Sequence, residues 1–331
     1  MTIAGIKTLS VIVPVYFNAE SLWELYERLS AVETKIAARN MRMELIFIDD
    51  GSRDNSFEIL LAIKHLRPQT KIIRLTRNFG EIAATSTGFI YATGDCVLVL
   101  AADLQNPPEQ IPAMLDAWEE GYNIVFSYRR SREDPFFTHL WAAFYYRLVH
   151  VLVVEGYPKG GTDSIFFDKS LLPYVRALGR GVNYSLYLFS LGFKAKLIPY
   201  DRQERRHGKS RWTFKKKFFY CLDTLLGFSA TPLRLVSAIG LITLIASLIY
   251  GMEVIFYAVH KGVEVPGFAT LAVLISFSTG IIVMMLSMIG EYIWRIFELV
   301  SNHPKSIISE ILLDEDMPEI RNLPVYGEAS K

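Results

Sequence analysis

Leu98-Val-Leu-Ala-Ala-Asp103-Leu-Gln105-Asn-Pro107-Pro-Glu109 joins an apolar run to a polar, proline-bearing turn. Its apolar run, Val97 to Leu100, reads as a buried strand that ends in a carboxylate, an amide and two prolines. Open α/β sheets bind ligands at the C-terminal ends of their parallel strands, which is where Asp103 and Gln105 would stand. The prolines stop the strand and suit the entry to a helix, with Glu109 near its first turn. An ordinary strand-to-helix turn has the same composition, so this stretch needs support from its neighbours.

The flanking sequence repeats the pattern. Ser10 to Tyr16, Met43 to Ile48, Lys71 to Leu75 and Asn123 to Tyr128 read as further strands. Between them, Leu22, Leu25, Leu29, Val32 and Ile36 keep a helical period, capped by Asn18 or Ser21. Asn55 to Leu66, a segment through about Tyr91 and Glu109 to Glu120 complete the helices. Strands alternating with helices of this length predict an α/β fold, a mostly parallel Rossmann-like sheet covered on both faces. Beyond Arg129 the pattern loosens: Phe136 to Val154 reads as an aromatic-rich helix, Ile165 to Phe167 as an apolar run and Lys194 to Tyr200 as one more strand.

Composition places this domain beside a membrane. The chain has 331 residues, 51% hydrophobic and 21% charged, with a mean hydropathy of +0.25. That exceeds an ordinary soluble protein and falls short of a polytopic one. A net charge of +1 gives no bulk basicity for nucleic acid. The two cysteines, Cys96 and Cys221, read as packed thiols. Leu235 to Met252 and Pro266 to Gly290 carry no charged residue, and with extension to about Tyr257 both reach the roughly 20 residues a bilayer span needs. Two buried core helices are the alternative. Lysines and arginines gather on the outer flanks, so the spans (about 233–257 and 266–290) predict a hairpin with both termini cytoplasmic. The N-terminus lacks a signal-peptide pattern, which keeps the first domain in the cytoplasm. Phe214, Phe218, Leu222, Leu225 and Leu226 share one helical face while Lys215, Lys216 and Lys217 fall largely off it. Residues 212–230 therefore read as an amphipathic helix lying on membrane lipids. The expected organisation is a domain over 1–211, this helix, a two-helix anchor within 231–298 and a cytoplasmic tail over 299–331.

Four strand ends carry polar groups: Tyr16 with Asn18 and Glu20, Asp49 with Asp50, Arg77 with Asn78, and Asp103 with Gln105. Neither G-x-G-x-x-G nor G-x-x-x-x-G-K-[ST] is present, so a bound nucleotide would be held by carboxylates, a metal and arginines. With Pro14-Val-Tyr-Phe-Asn18-Ala-Glu20, Asp49-Asp50-Gly51-Ser52-Arg-Asp54, Arg77-Asn78-Phe79-Gly80 and Ala102-Asp103-Leu-Gln105-Asn-Pro107-Pro108-Glu109, the chain resembles the family-2 GT-A glycosyltransferases. More narrowly it is similar to the polyprenyl-phosphate glycosyltransferases, the group of dolichyl-phosphate mannose synthase and bacterial undecaprenyl-phosphate glucosyltransferases. Gly290-Glu-Tyr-Ile-Trp-Arg295-Ile with Pro304-Lys305 resembles the signature that follows the second membrane helix in the bacterial branch.

The resemblance implies inverting transfer of one sugar, glucose first, from a nucleotide sugar, UDP-linked first, to polyprenyl (undecaprenyl) phosphate at the cytoplasmic membrane. It places Pro14, Tyr16, Glu20 and Asp50 at the nucleoside and Asp103 and Gln105 at Mg2+ or Mn2+ beside the donor diphosphate. It places Asp163 near the anomeric carbon, as base or as orienting group, and Arg205, Lys209, Ser210 and Arg211 at phosphate. Arg129, Arg130 and Arg132 read either as phosphate binders or as a solvated basic face, with Arg129 taken as a donor ligand. A homo-oligomer and a downstream lipid-linked sugar flippase are implied partners. Three positions depart from the family pattern: Ala101 where an Asp is common, Ala142 where a Ser is common, and Ser164 where a Phe is usual. Two competing readings follow. A processive polysaccharide synthase would carry Q-x-x-R-W, but His207 stands at the Trp position. A non-catalytic membrane scaffold is suggested by Ala101.

Overall fold

The computed structural model describes residues 5–130, 162–179, 182–201, 267–300 and 304–313, together with 238–243, 245–246, 249–253, 256 and 260. The chain divides into two units, one of residues 1–224 with 304–331 and one of 225–303.

The first unit is built on an eight-stranded sheet in the order β7-β5-β6-β4-β1-β2-β3-β8. The strands are β1 (Lys7–Val15), β2 (Met41–Asp49), β3 (Lys71–Leu75), β4 (Cys96–Val99), β5 (Ile124–Arg129), β6 (Ser164–Asp168), β7 (Ala195–Tyr200) and β8 (Ile308–Leu312). The pairs β1–β2, β1–β4, β2–β3 and β5–β7 are parallel, while β3–β8, β4–β6 and β5–β6 are antiparallel. The helices α1 (Ala19–Ala37), α2 (Ser56–Leu66), α3 (Glu81–Tyr91) and α4 (Ile111–Glu119) follow β1 to β4 in turn.

Both faces of the sheet are covered, as the uninterrupted apolar strands require. Leu9, Val11, Val13 and Val15 of β1 pack with Leu22, Leu25, Leu29, Val32 and Ile36 of α1. Ile12, Ile46 and Ile48 point to the other face, with Phe89 of α3 and Leu172 and Val175 of the short helix Leu172–Arg176. Each such fully buried aliphatic side chain contributes about 1.5–3 kcal/mol. Gly88 lets α3 lie close against this face: a Cβ there would stand 2.5 Å from Ile12 Cγ2 and 2.8 Å from Ile48 Cδ1. A polar knot ties β1 to β3 through β2. Glu44 accepts from Ser10 Oγ, from Lys71 Nζ at 2.7 Å and from Thr93 Oγ1 at 2.6 Å. Burial pushes the Glu44 carboxyl up, and these hydrogen bonds outweigh it and leave it below its usual range.

Residues 308–312, read from sequence as part of a tail, form β8 and pair with β3. That pairing satisfies the backbone edge β3 would otherwise expose. Asn18 stands at the N-cap of α1 without a side-chain capping bond. Its Oδ1 instead accepts from the Tyr16 N–H. The expected helices at 136–154 and 212–230 lie outside the described residues.

In the second unit, Phe268–Val300 is one helix of 33 residues, about 50 Å long at 1.5 Å per residue. It runs on through Gly290-Glu-Tyr-Ile-Trp-Arg295, expected from sequence to follow the membrane helix. Phe277–Trp294 is long and apolar enough to cross a membrane, the single such window among the described residues. Leu271, Ile275, Ile282, Leu286, Ile293 and Phe297 are exposed around it, an arrangement water disfavours and lipid accepts. The described residues of the first expected span are helical.

Candidate active site

The strand ends are fastened to one another by backbone donors and side-chain acceptors. After β1, Phe17 takes a left-handed backbone with φ 57°. The N–H groups of Phe17, Asn18 and Ala19 donate to Ser52 Oγ (3.1 Å), Ser56 Oγ (3.0 Å) and Asp54 Oδ2 (3.3 Å). The loop after β2 therefore fixes the loop after β1 and supplies the start of α1 with acceptors. Gly51 is required at the crossing: its φ is +68°, and a Cβ would lie 2.6 Å from the Arg77 carbonyl carbon.

Asp49 and Asp50 are both buried, 0% and 2% exposed. Asp49 Oδ1 accepts from the Ser52 N–H at 3.0 Å, and Oδ2 faces Arg74 Nε at 3.4 Å without making an aligned hydrogen bond. Asp50 accepts from the N–H groups of Phe79 (2.7 Å) and Gly80 (2.9 Å). Burial pushes both carboxyls up. Asp50 thus anchors the Arg77-Asn78-Phe79-Gly80 loop, with lone pairs left over for a further donor.

Past β4 the chain keeps a two-residue alternation. Ala102, Leu104 and Asn106 are buried, whereas Ala101, Asp103 and Gln105 are half-exposed on the other side. The D-x-Q spacing therefore leaves two oxygen-bearing side chains partly exposed in the turn after β4. Leu104 takes φ 60°, and the Gln105 N–H donates to Asp103 Oδ1 at 3.2 Å. Ser21 Oγ donates to the Ala102 carbonyl at 2.7 Å, and Arg28 grips Glu109 at 2.8 and 2.6 Å, so α1 holds this turn from behind. Sequence reading missed Glu81, in the first turn of α3. Glu81 is exposed there, and its carboxyl is pushed up by desolvation and then by the charge of Asp103.

A cavity of about 550 Å³ opens at the ends of β1, β2 and β3, lined by Tyr16, Gly51, Arg53, Arg74, Arg77 and Asn78 among others. Strand order sets it on one side of β1 and Asp103 on the other.

The far half of the sheet gathers a second constellation. Arg129 and Tyr200 are register partners at the ends of β5 and β7, and Asp163 precedes β6. Arg129 Nε and Nη2 donate to Asp163 Oδ2 (2.7 Å) and Oδ1 (2.5 Å), and Tyr200 Oη donates to Oδ2 at 2.8 Å. Arg129 stays protonated far above its usual range: burial opposes this, and the Asp163 hydrogen bond and charge outweigh it. Burial and then the charge of Asp163 push the Tyr200 hydroxyl up. Ser164 Oγ lies 2.5 Å from Ser127 Oγ, both buried. A phenyl ring there would displace that pair.

A model of the family described as glycosyl transferase family 2 matches residues 10–172. A Synechocystis protein described as an uncharacterized glycosyltransferase is 32% identical over 94% of this chain and 97% of its own length. This chain belongs to glycosyl transferase family 2. Among its other relatives, the undecaprenyl-phosphate 4-deoxy-4-formamido-L-arabinose transferase of Photorhabdus laumondii is 31% identical, over 95% of this chain and 97% of its own length. The glucosyl-3-phosphoglycerate synthase of Mycobacterium tuberculosis, solved with Mn2+ and UDP, aligns with a TM-score of 0.46 and 15% identity over 66% of this chain and 78% of that one.

In this family 2 glycosyltransferase, Tyr16 and Arg77 line the cavity, with Asp50 beneath its loop, while Asp103 and Gln105 are partly exposed in the turn after β4. Pro14 lies within β1, paired with Ile48, and Glu20 is exposed in the first turn of α1. Arg129 turns to Asp163, and Arg130 makes an exposed pair with Asp201 at 3.7 Å. Arg132, Ala142, Arg205, Lys209, Ser210 and Arg211 lie outside the described residues. Tyr200 was not legible as a site residue, because only the β5–β7 register brings it to Asp163.

Proposed function

We propose that this chain transfers a single sugar, glucose first, from a nucleotide sugar, UDP-glucose first, to undecaprenyl phosphate at the cytoplasmic face of a membrane. What carries the reading is that one chain joins a crevice of carboxylates and arginines to an exposed apolar helix and then returns to the same sheet. Both ends of residues 225–303 connect to one folded unit. A segment that crosses a bilayer between them crosses an even number of times, which supports a two-helix hairpin with the catalytic unit and both termini on one side. The full-length likeness to an undecaprenyl-phosphate transferase supports the acceptor.

The cavity, lined by Tyr16, suits the nucleoside; Pro14, Glu20 and Asp50 are its further proposed ligands, and the diphosphate would extend past β1 toward Asp103 and Gln105. Among the described residues no group of three or more His, Cys, Asp or Glu side chains could hold a metal. Two hard oxygen donors still fit Mg2+ or Mn2+, which keeps waters and phosphate oxygens as its other ligands. Bound there, the metal would offset charge on the departing diphosphate. The acceptor phosphate, with a second pKa of about 6, is already a dianion at neutral pH and needs no general base. Asp163 instead holds Arg129 and Tyr200 in place, and direct displacement inverts the anomeric centre. Arg205, Lys209, Ser210 and Arg211 complete the reading as phosphate ligands, Arg by its forked donors.

A panel of radiolabelled nucleotide sugars, incubated with undecaprenyl phosphate and Mg2+ or Mn2+, tests the reading. UDP-glucose should deliver one labelled sugar to the lipid fraction, and Asp103→Ala should lose both transfer and metal-dependent nucleotide binding. Label in a water-soluble polymer points to a processive synthase, and absence of any nucleotide-sugar binding points to a scaffold.

A further inference from the structure

β8 does more than cover the edge of β3. Arg74 faces Glu310 across the ladder, whereas Leu75 faces Ile308, so Ser309 is the extra residue of a β-bulge. Bulges re-aim side chains and increase local twist. Here Ile308 packs with the core on the α3 side and Leu312 with the core on the α1 side. Ser309 and Glu310, between them, are exposed and stand in the wall of the 550 Å³ cavity with Tyr16, Arg53 and Arg77.

The wall is fastened. Lys305 Nζ donates to the Arg176 carbonyl at 3.3 Å, Ser306 Oγ lies 2.6 Å from Thr87 Oγ1, and the Thr76 N–H donates to the Ile307 carbonyl at 2.9 Å. Ser309 Oγ donates to the Arg74 carbonyl at 3.1 Å. Glu310 is different. Its register partner Arg74 turns its guanidinium to Asp49 and over the Phe57 ring at 4.1 Å, and Glu310 makes no ion pair among the described residues.

We propose that Glu310 is a specificity-determining residue of the donor site, accepting a hydrogen bond from the nucleoside of the nucleotide sugar. The inference rests on the nucleotide-sugar reading above. An ionised carboxylate only accepts, and it repels phosphate, so the group that meets it must carry N–H or O–H donors. A nucleoside offers both, on its base edge and its ribose, while the diphosphate, extending past β1 toward Asp103 and Gln105, stays clear of the carboxylate. The segment that returns from the apolar helix therefore completes the donor site, and the site is short of one wall without it.

Titration calorimetry of the full chain in detergent tests this, with UDP and with pyrophosphate, each with Mn2+. Glu310→Ala should weaken UDP binding about tenfold, the loss expected for a hydrogen bond to a charged group, and leave pyrophosphate binding unchanged. Glu310→Gln, which keeps a carbonyl acceptor, should fall between. Both variants should melt with the wild type, since the side chain is exposed and makes no ion pair among the described residues. Unchanged UDP binding in Glu310→Ala overturns the assignment. So does tighter binding of both UDP and pyrophosphate, the mark of a carboxylate that merely repels anions. A wild-type chain that binds neither UDP nor GDP fails earlier, at the nucleotide-sugar reading, and takes this assignment with it.

Discussion

Asp163 is the residue where a role as base and a role as anchor give opposite results. Its two oxygens meet Arg129 at 2.7 and 2.5 Å and Tyr200 at 2.8 Å, and the Arg129 and Asp163 side chains keep 19% and 17% of their exposure. Losing one partner of a fully buried pair costs about 3–5 kcal/mol, and an exposed pair is worth about 0–1 kcal/mol. At this exposure, discounted for solvent screening, Asp163→Ala should cost about 2–3 kcal/mol. A double-mutant cycle with Arg129→Met should return a coupling of about 2 kcal/mol. Urea unfolding in detergent, followed by tryptophan fluorescence, measures both. The kinetic arm is separate: Asp163→Asn should lower turnover while leaving the shape of the pH–rate profile intact, because no proton passes through Asp163. A coupling below about 0.5 kcal/mol, or an acid limb in the wild-type profile that vanishes in Asp163→Asn, refutes the anchor.

Gly51→Ala forces a side chain into a φ of +68° with its Cβ 2.6 Å from the Arg77 backbone. It should cost about 2–4 kcal/mol in thermal melting and weaken nucleotide binding. The Glu44 carboxyl sits below the usual carboxylate range in the folded chain, so its stabilisation is complete above the unfolded value and lost as pH falls through the lowered folded value. Glu44→Gln should flatten the acid side of a melting-temperature profile, and an unchanged slope refutes the linkage. Gly262→Cys, in a Cys221→Ser background, should react with an impermeant maleimide from outside the cytoplasmic membrane. Labelling only after permeabilisation overturns the hairpin orientation.

The α/β sheet and the polar groups at its strand ends were legible in the sequence. Runs such as Val97 to Leu100 and the helical period of α1 are local signals, set by which side chains avoid water, and they survive without knowledge of the partners. Asp103 and Gln105 were legible as strand-end groups because the apolar run stops at Leu100, just before them. The tertiary structure decided what depends on elements far apart in the chain. Glu81 meets the field of Asp103 only through the placement of α3. Tyr200 reaches Asp163 only through the β5–β7 register. β8 is five residues with a bulge, too short to carry a period, and its place is fixed by the unpaired edge of β3. Such contacts depend on geometry between elements distant in sequence, and periodicity within one element does not encode it.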